Sequence, residues 1–202
     1  MQNIGLYFGS FNPIHLGHLI IGEHIVKSYP IDEVWFVVSP QNPFKKNQLL
    51  ANENHRAKMV DLAISGNNIL KLSTIEFGLP KPSYTIKTLD FIEKQYPNTN
   101  FKIIMGEDNI MNLHRWKSYE KILAKYPIYI YPRLSSSKQF ISLHKEQFPE
   151  KIQNGNFTIV DAPIIELSST AIREAVKAKK SIKYLVRDNV LKYILDNDLY
   201  ST

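Results

Sequence analysis

Short apolar runs rich in β-branched and aromatic residues alternate with helical patterns along almost the whole chain, and no other feature restricts its fold as much. Ile4–Phe8 reads as a strand, and Leu16–Lys27 follows as a helix carrying Leu19, Ile20, Ile25 and Val26. Val34–Val38 is nearly all β-branched or aromatic, the pattern of a strand buried on both faces. A helix near Glu53–Ile64, a short strand over Ile69–Leu72, a helix near Tyr84–Lys94 and a strand over Phe101–Met105 continue the series. Short helices are expected around Leu113–Leu123, broken near Lys117-Ser118. Strands at Ile128–Tyr131 and Phe157–Val160 and helices at Thr170–Lys177 and Asp188–Leu195 complete it. Strand–helix–strand order of this kind predicts an α/β fold, a doubly wound parallel sheet with helices on both faces and a small helical C-terminal part. Residues 1–202 are expected to form one domain, with a core to about residue 165 and C-terminal helices over about 166–202. Ligands of such sheets bind at the carboxyl ends of the strands, near the point where strand order reverses. The residues just after each strand therefore carry the functional information.

Composition narrows the chemistry. The 202 residues include no cysteine, which excludes a disulfide scaffold, a thiolate metal site and a cysteine nucleophile. No apolar run approaches the roughly 20 residues of a membrane span. The start, Met1-Gln2-Asn3-Ile4-Gly5, lacks a secretory pattern, so a cytoplasmic location is expected. Twenty-five Lys and Arg against 19 Asp and Glu give a net charge of +6. That excess points to a polyanion: nucleic acid, an anionic surface or phosphorylated small molecules.

The strongest local signal, Gly9-Ser10-Phe11-Asn12-Pro13-Ile14-His15-Leu16-Gly17-His18, follows the first strand directly. Gly9 permits a sharp turn with backbone N–H groups close to a ligand. His15 and His18 share one face of a helix start, and Gly17 removes a side chain where a phosphate would approach. An i,i+3 histidine pair alone also fits a metal pair or two surface residues. Between a strand and a helix, with amide donors beside it, it makes a phosphate cradle.

These residues resemble the nucleotidylyltransferase signature Gly-x-Phe-x-Pro-x-His-x-Gly-His. More narrowly, the chain resembles the bacterial nicotinate-nucleotide adenylyltransferases. The likeness extends through Pro43-Phe44-Lys45, Arg56 with Met59, Pro82-Ser83-Tyr84-Thr85 with Thr88, Gly106-Glu107-Asp108, Leu113 with Trp116, and Ser168-Ser169-Thr170-Ala171-Ile172-Arg173. It implies a Rossmann-like sheet and transfer of the adenylyl group of ATP to nicotinate mononucleotide, giving nicotinate adenine dinucleotide and pyrophosphate. ATP would be a co-substrate carried with Mg²⁺. The chain shows no dedicated metal site, and no nucleic acid or membrane partner is expected. A homo-oligomer fits the family.

The resemblance also distributes roles. His15, His18, Lys45 and Arg173 are the expected catalytic groups. Gly9, Ser10, Phe11, His15, Gly17, His18, Gly106, Asp108, Ser169, Thr170 and Arg173 would bind ATP. Asn12, Lys45, Tyr84, Thr85 and Trp116 would bind the mononucleotide. Each has a plainer reading: an N-cap for Ser168-Ser169-Thr170, a helix-start carboxylate for Asp108, a core ring for Trp116, a solvated lysine for Lys45 or its neighbour Lys46. Lys45 lies in the long polar stretch Ser39–Ala51, of a length that is usually functional. His24, His55, His114 and His144 are read as ordinary structural or surface residues.

Two departures stand out. Glu107 replaces a small residue and is expected to point away from an anionic site. Ser10 and Asn12 stand where bacterial relatives usually carry Gly and Asp, as in the nicotinamide-mononucleotide enzymes of eukaryotes. This leaves a nicotinamide-mononucleotide or dual-specificity enzyme as an alternative, with phosphopantetheine adenylyl transfer behind it. A basic nucleic-acid-binding module, favoured by Lys177, Lys179, Lys180 and Lys183, is the reading from a different class; no aromatic residues interleave with those lysines.

Overall fold

The computed structural model describes residues 1–40, 50–132 and 157–201. Six strands form one parallel sheet: β1 Gln2–Gly9, β2 Glu33–Val38, β3 Leu70–Ser73, β4 Thr99–Gly106, β5 Ile128–Tyr131 and β6 Phe157–Ile159. Their order across the sheet is β3-β2-β1-β4-β5-β6. Among the described residues the helices are α1 Leu16–Ser28, α2 Glu53–Ile64, α3 Thr85–Gln95, α4 Glu107–Met111, α5 Tyr119–Lys125, α6 Ser169–Lys177 and α7 Asp188–Asp196. The fold is the expected α/β Rossmann-like sheet. Sequence patterning located its strands and long helices to within a residue or two, but missed α4 and a 3₁₀ turn at Ile75–Gly78. Both are too short to show a period. The expected break before α5 is real: Ser118 adopts a left-handed conformation, φ 55°.

The two-residue period of the strands sorts side chains into two cores. Tyr7, Val34, Phe36, Val38, Ile104 and Tyr129 face a core shared with α1, α2 and the C-terminal helices, which contribute Ile172, Val190 and Ile194. Ile4, Leu6, Val37, Phe101, Ile103, Met105, Ile128 and Ile130 face a second core closed by Leu89 and Ile92 of α3, Ile110 of α4 and Ile122 of α5. Helices thus cover both faces. Strand order reverses between β1 and β4. Tyr7 pairs with Ile104 there, so Gly9 and Gly106 stand level at the carboxyl edge.

Two buried ionisable groups fix the loops at that edge. Arg56 of α2 is 1% exposed, and its guanidinium donates to four main-chain carbonyls: Nε to Ala51 (2.9 Å), Nη1 to Ser10 (2.6 Å) and Ser39 (2.8 Å), and Nη2 to Pro40 (2.9 Å). One side chain therefore ties the segment after β1 to that after β2. Burial pulls its pKa down, and the nearby Tyr200 and Glu53 pull it back up. Glu76, on the 3₁₀ turn after β3, is 2% exposed and accepts from Thr88 Oγ1 of α3 at 2.7 Å. Burial pushes its carboxyl above the usual range, against the hydroxyls of Thr88, Ser39 and Ser83, which pull it down.

Replacing Arg56 by Met strands four carbonyls that are buried or partly buried, and denaturant unfolding should show a loss of about 3 kcal/mol. A loss below about 0.5 kcal/mol would mean that water satisfies those carbonyls instead. For Glu76, a folded pKa raised above the unfolded one means that stability falls as pH climbs from the ordinary carboxylate range through the raised value. Glu76→Gln keeps the acceptor for Thr88 and removes that decline. The thermal midpoint of the variant relative to the wild type should therefore rise with pH. A difference that does not change with pH would show that the buried acid carries no such penalty.

Candidate active site

The cleft at the strand-order reversal has a volume of about 430 Å³, the size of a small-ligand site. It is lined by the end of β1 and the following loop, the turn after β4, Tyr131 at the end of β5 and the start of α6. Gly9, Ser10, Phe11, Asn12, His15 and His18 meet there with Gly106, Asp108 and Trp116 and with Ser169, Thr170 and Arg173. Twelve expected residues from three separate stretches of chain thus share one concavity.

The histidine pair is built into the entrance of α1. His15 is the N-cap and is 6% exposed. Its ring stacks on that of His18, with centroids 3.7 Å apart and planes 27° from parallel. The His15 N–H donates to His18 Nδ1 at 3.3 Å. With Nδ1 accepting, a neutral His18 carries its proton on Nε2, which makes that nitrogen a donor. The two glycines in this motif serve the rings. A Cβ on Gly17 would come within 3.1 Å of the His15 ring and 3.2 Å of Ile165, so the missing side chain makes room for His15 and for a wall of the adjoining pocket. A Cβ on Gly9 would lie 2.7 Å from the Phe11 ring. Phe11, left-handed at φ 44°, folds that ring over the strand end and into the core.

The opposite wall is the start of α6. Ser168 is its cap and accepts from the Ala171 N–H at 3.2 Å, which assigns the capping role within Ser168-Ser169-Thr170 to one residue. Ser169 Oγ donates to the Pro13 carbonyl at 2.8 Å. Arg173 donates through Nη1 to the Asn12 carbonyl at 2.9 Å and through Nη2 to Thr170 Oγ1 at 3.3 Å. The helix is thereby pinned to the loop after β1, and a half-buried guanidinium is held at the rim. Asn12 is 2% exposed, and its Oδ1 accepts from the Ala51 N–H (3.1 Å) and from the Tyr200 hydroxyl (2.8 Å).

Beyond β4, Asp108 lines the cleft and Glu107 does not. Trp116 is half-buried: it packs partly on the second core and lines the cleft as well. Tyr84 and Thr85, at the start of α3, lie outside the cleft lining. Tyr84 borders a separate pocket along α3, although its ring sits under Lys117 Nζ at 4.7 Å, next to the Trp116 turn. Lys45, with Lys46, lies outside the described residues.

Asn109, Asn112, Arg115, Tyr7 and Tyr131 also line the cleft and were not anticipated. The signal for Asn109, Asn112 and Arg115 was the position already used for Asp108, directly after β4. Tyr7 and Tyr131 sit within strands, where an aromatic reads as core. Among the described residues no group of three or more His, Asp or Glu side chains is placed to hold a metal ion.

Comparison with known proteins places the chain among its relatives. Residues 6–175 match the cytidylyltransferase-like family model. A protein of Cytophaga hutchinsonii named probable nicotinate-nucleotide adenylyltransferase is 50% identical over 200 residues, covering 99% of each chain. A protein of Flavobacterium johnsoniae with the same name is 45% identical over 199 residues, covering 98% of this chain and 99% of that one. Among solved structures, the nicotinic acid mononucleotide adenylyltransferase of Plasmodium falciparum complexed with NaAD superposes with a TM-score of 0.80 at 22% identity, over 100% of this chain and 98% of that one.

Proposed function

The chain belongs to the nicotinate-nucleotide adenylyltransferase family, and on that premise we propose how its cleft transfers the adenylyl group of ATP to nicotinate mononucleotide. An ionised phosphate oxygen of the mononucleotide attacks the α-phosphorus of ATP. The new P–O bond forms as the bond to the β-phosphate bridging oxygen breaks, and pyrophosphate leaves with that electron pair. The nucleophile arrives on the substrate, so the protein has two anions to align and a developing charge to stabilise. One observation carries this reading: the stacked histidines, the start of α6 with Arg173, and Trp116 all line one cleft at the reversal of strand order.

In this reading His18, His15, Thr170, Ser169 and Arg173 hold the ATP phosphates, with Gly9, Ser10, Phe11 and Gly17 shaping the cradle. Gly106 and Asp108 receive the adenosine ribose. Trp116 stacks on the pyridine ring and Asn12 bounds the mononucleotide; Tyr84 and Thr85, outside the cleft lining, would contribute only from beyond the Lys117 turn. Lys45 completes the cationic set. Mg²⁺ would enter on the ATP phosphates and retain water ligands, neutralising charge on the leaving group. The chain's own part is to orient those phosphates. A cytoplasmic setting suits an ATP-consuming synthesis, and no described helix is long and apolar enough to cross a membrane.

Nicotinate is favoured over nicotinamide by the likeness to proteins named nicotinate-nucleotide adenylyltransferase. The Ser10 carbonyl is held by Arg56, and Asn12 Oδ1 is held by Ala51 and Tyr200. Of the two departures from the bacterial pattern, the Asn12 side chain is thus engaged in internal bonds of the loop, while both residues line the cleft.

With ATP and Mg²⁺, pyrophosphate release should be much faster with nicotinate mononucleotide than with nicotinamide mononucleotide. Equal rates would remove the base preference, and no turnover with either would remove the function. Replacing His18 by Ala should lower kcat by about 10²- to 10³-fold with little change in thermal midpoint. Near-normal turnover in that variant would contradict the phosphate cradle.

A further inference from the structure

Among the described residues, Tyr200 links the C-terminal segment to the loop after β1. Helix α7 ends on its own main-chain bonds: the Asp198 N–H donates to the Leu195 carbonyl at 3.3 Å and the Leu199 N–H to the Ile194 carbonyl at 3.0 Å. With Asp198 left-handed at φ 48°, this is a complete helix-terminating motif that needs nothing from residue 200. The backbone then turns again, with Tyr200 left-handed at φ 67°, a conformation uncommon for a bulky residue. The outcome is that the Tyr200 hydroxyl lies 2.8 Å from Asn12 Oδ1, a bond joining residues 188 positions apart.

The direction of that bond is fixed. The Ala51 N–H can only donate, so the Asn12 side-chain atom it meets is the oxygen. Tyr200 must then donate to the same atom. Burial raises the phenol pKa well above its usual value, although Arg173 and Arg56 nearby pull it down, so the donor proton is retained. The same Asn12 presents its carbonyl to Arg173 Nη1. Tyr200, Asn12, Arg173 and Thr170 thus form one chain of bonds from the C-terminal segment to the rim of the cleft.

We propose that Tyr200 is a positioning residue for adenylyl transfer: through its hydroxyl it holds Asn12, and through Asn12 it sets the place of Arg173. This rests on the proposed reading of the cleft. Because α7 terminates without it, the hydroxyl acts on the geometry of the site more than on the fold.

Tyr200→Phe should lower kcat/KM by about tenfold, the scale of a small misplacement of reacting groups. The thermal midpoint should stay within a few degrees. In an Asn12→Ala background the same substitution should cost less than about twofold, since coupling through Asn12 is already gone. Two replacements of matched size separate hydroxyl from ring: 4-methylphenylalanine at position 200 should reproduce the loss, and 4-aminophenylalanine, which restores an N–H donor, should recover most of the activity. Unchanged kcat/KM in Tyr200→Phe, an equal loss in both backgrounds, or full activity with 4-methylphenylalanine would each overturn the proposal. Should Tyr200→Phe fail to fold, the matched pair decides alone. Absence of turnover in the wild type would instead remove the reading of the cleft itself, so the two failures are distinguishable.

Discussion

A single buried guanidinium holds the functional edge of this sheet together. The segments after β1 and β2 leave their strands with carbonyls that no ladder satisfies, and Arg56 reaches four of them from α2. Only a planar side chain with five fixed donors can serve acceptors from three directions; a lysine would bring three donors on one atom. The cost of burying the charge is offset by carbonyl dipoles in place of a carboxylate partner. That clamp is the reference for the loop after β1. It fixes Ser10 and Ala51, which bracket Asn12, and Asn12 in turn receives Arg173 and Tyr200.

The arrangement suits a reaction in which the protein supplies no nucleophile. Two phosphate groups that repel each other must be held in line, and any slack in the loop after β1 would be felt at both. In the proposed reading the stacked histidines and the pinned start of α6 answer this with preorganised donors. The charge excess is accordingly spread unevenly. Arg56 is interior and Arg173 half-buried, whereas Lys177, Lys179, Lys180 and Lys183 are exposed and lie outside the cleft. In the proposed reading, the polyanion that the net charge of +6 first suggested is a nucleotide.

Much of this was legible from residues alone, because it rested on local pattern. Val34–Val38 read as an interior strand, and Gly9–His18 read as a ligand loop between a strand and a helix; the structure places the first inside the sheet and the second at its carboxyl edge. What escaped has a common physical cause. The partners of Arg56 are carbonyls, which no sequence pattern identifies, so an arginine recognised by family likeness had no visible task. Glu76 sits on a turn too short to predict, and its partner Thr88 is twelve residues on in another element. Gly17 was read as space for a phosphate, whereas its neighbours are the His15 ring and Ile165. Tyr200 meets Asn12 across nearly the full length of the chain, a contact that exists only after folding. Tyr84 and Thr85 were placed by likeness near the pyridine, and the cleft lining reaches only their neighbour across Lys117.

The most direct measurement is a crystal structure with nicotinate adenine dinucleotide bound. The account requires the diphosphate between the His15–His18 stack and the Thr170–Arg173 end of α6, the adenosine ribose at Asp108, and the pyridine ring against Trp116. A dinucleotide bound in the pocket along α3, or in the cleft with its phosphates away from the histidine pair, would contradict it.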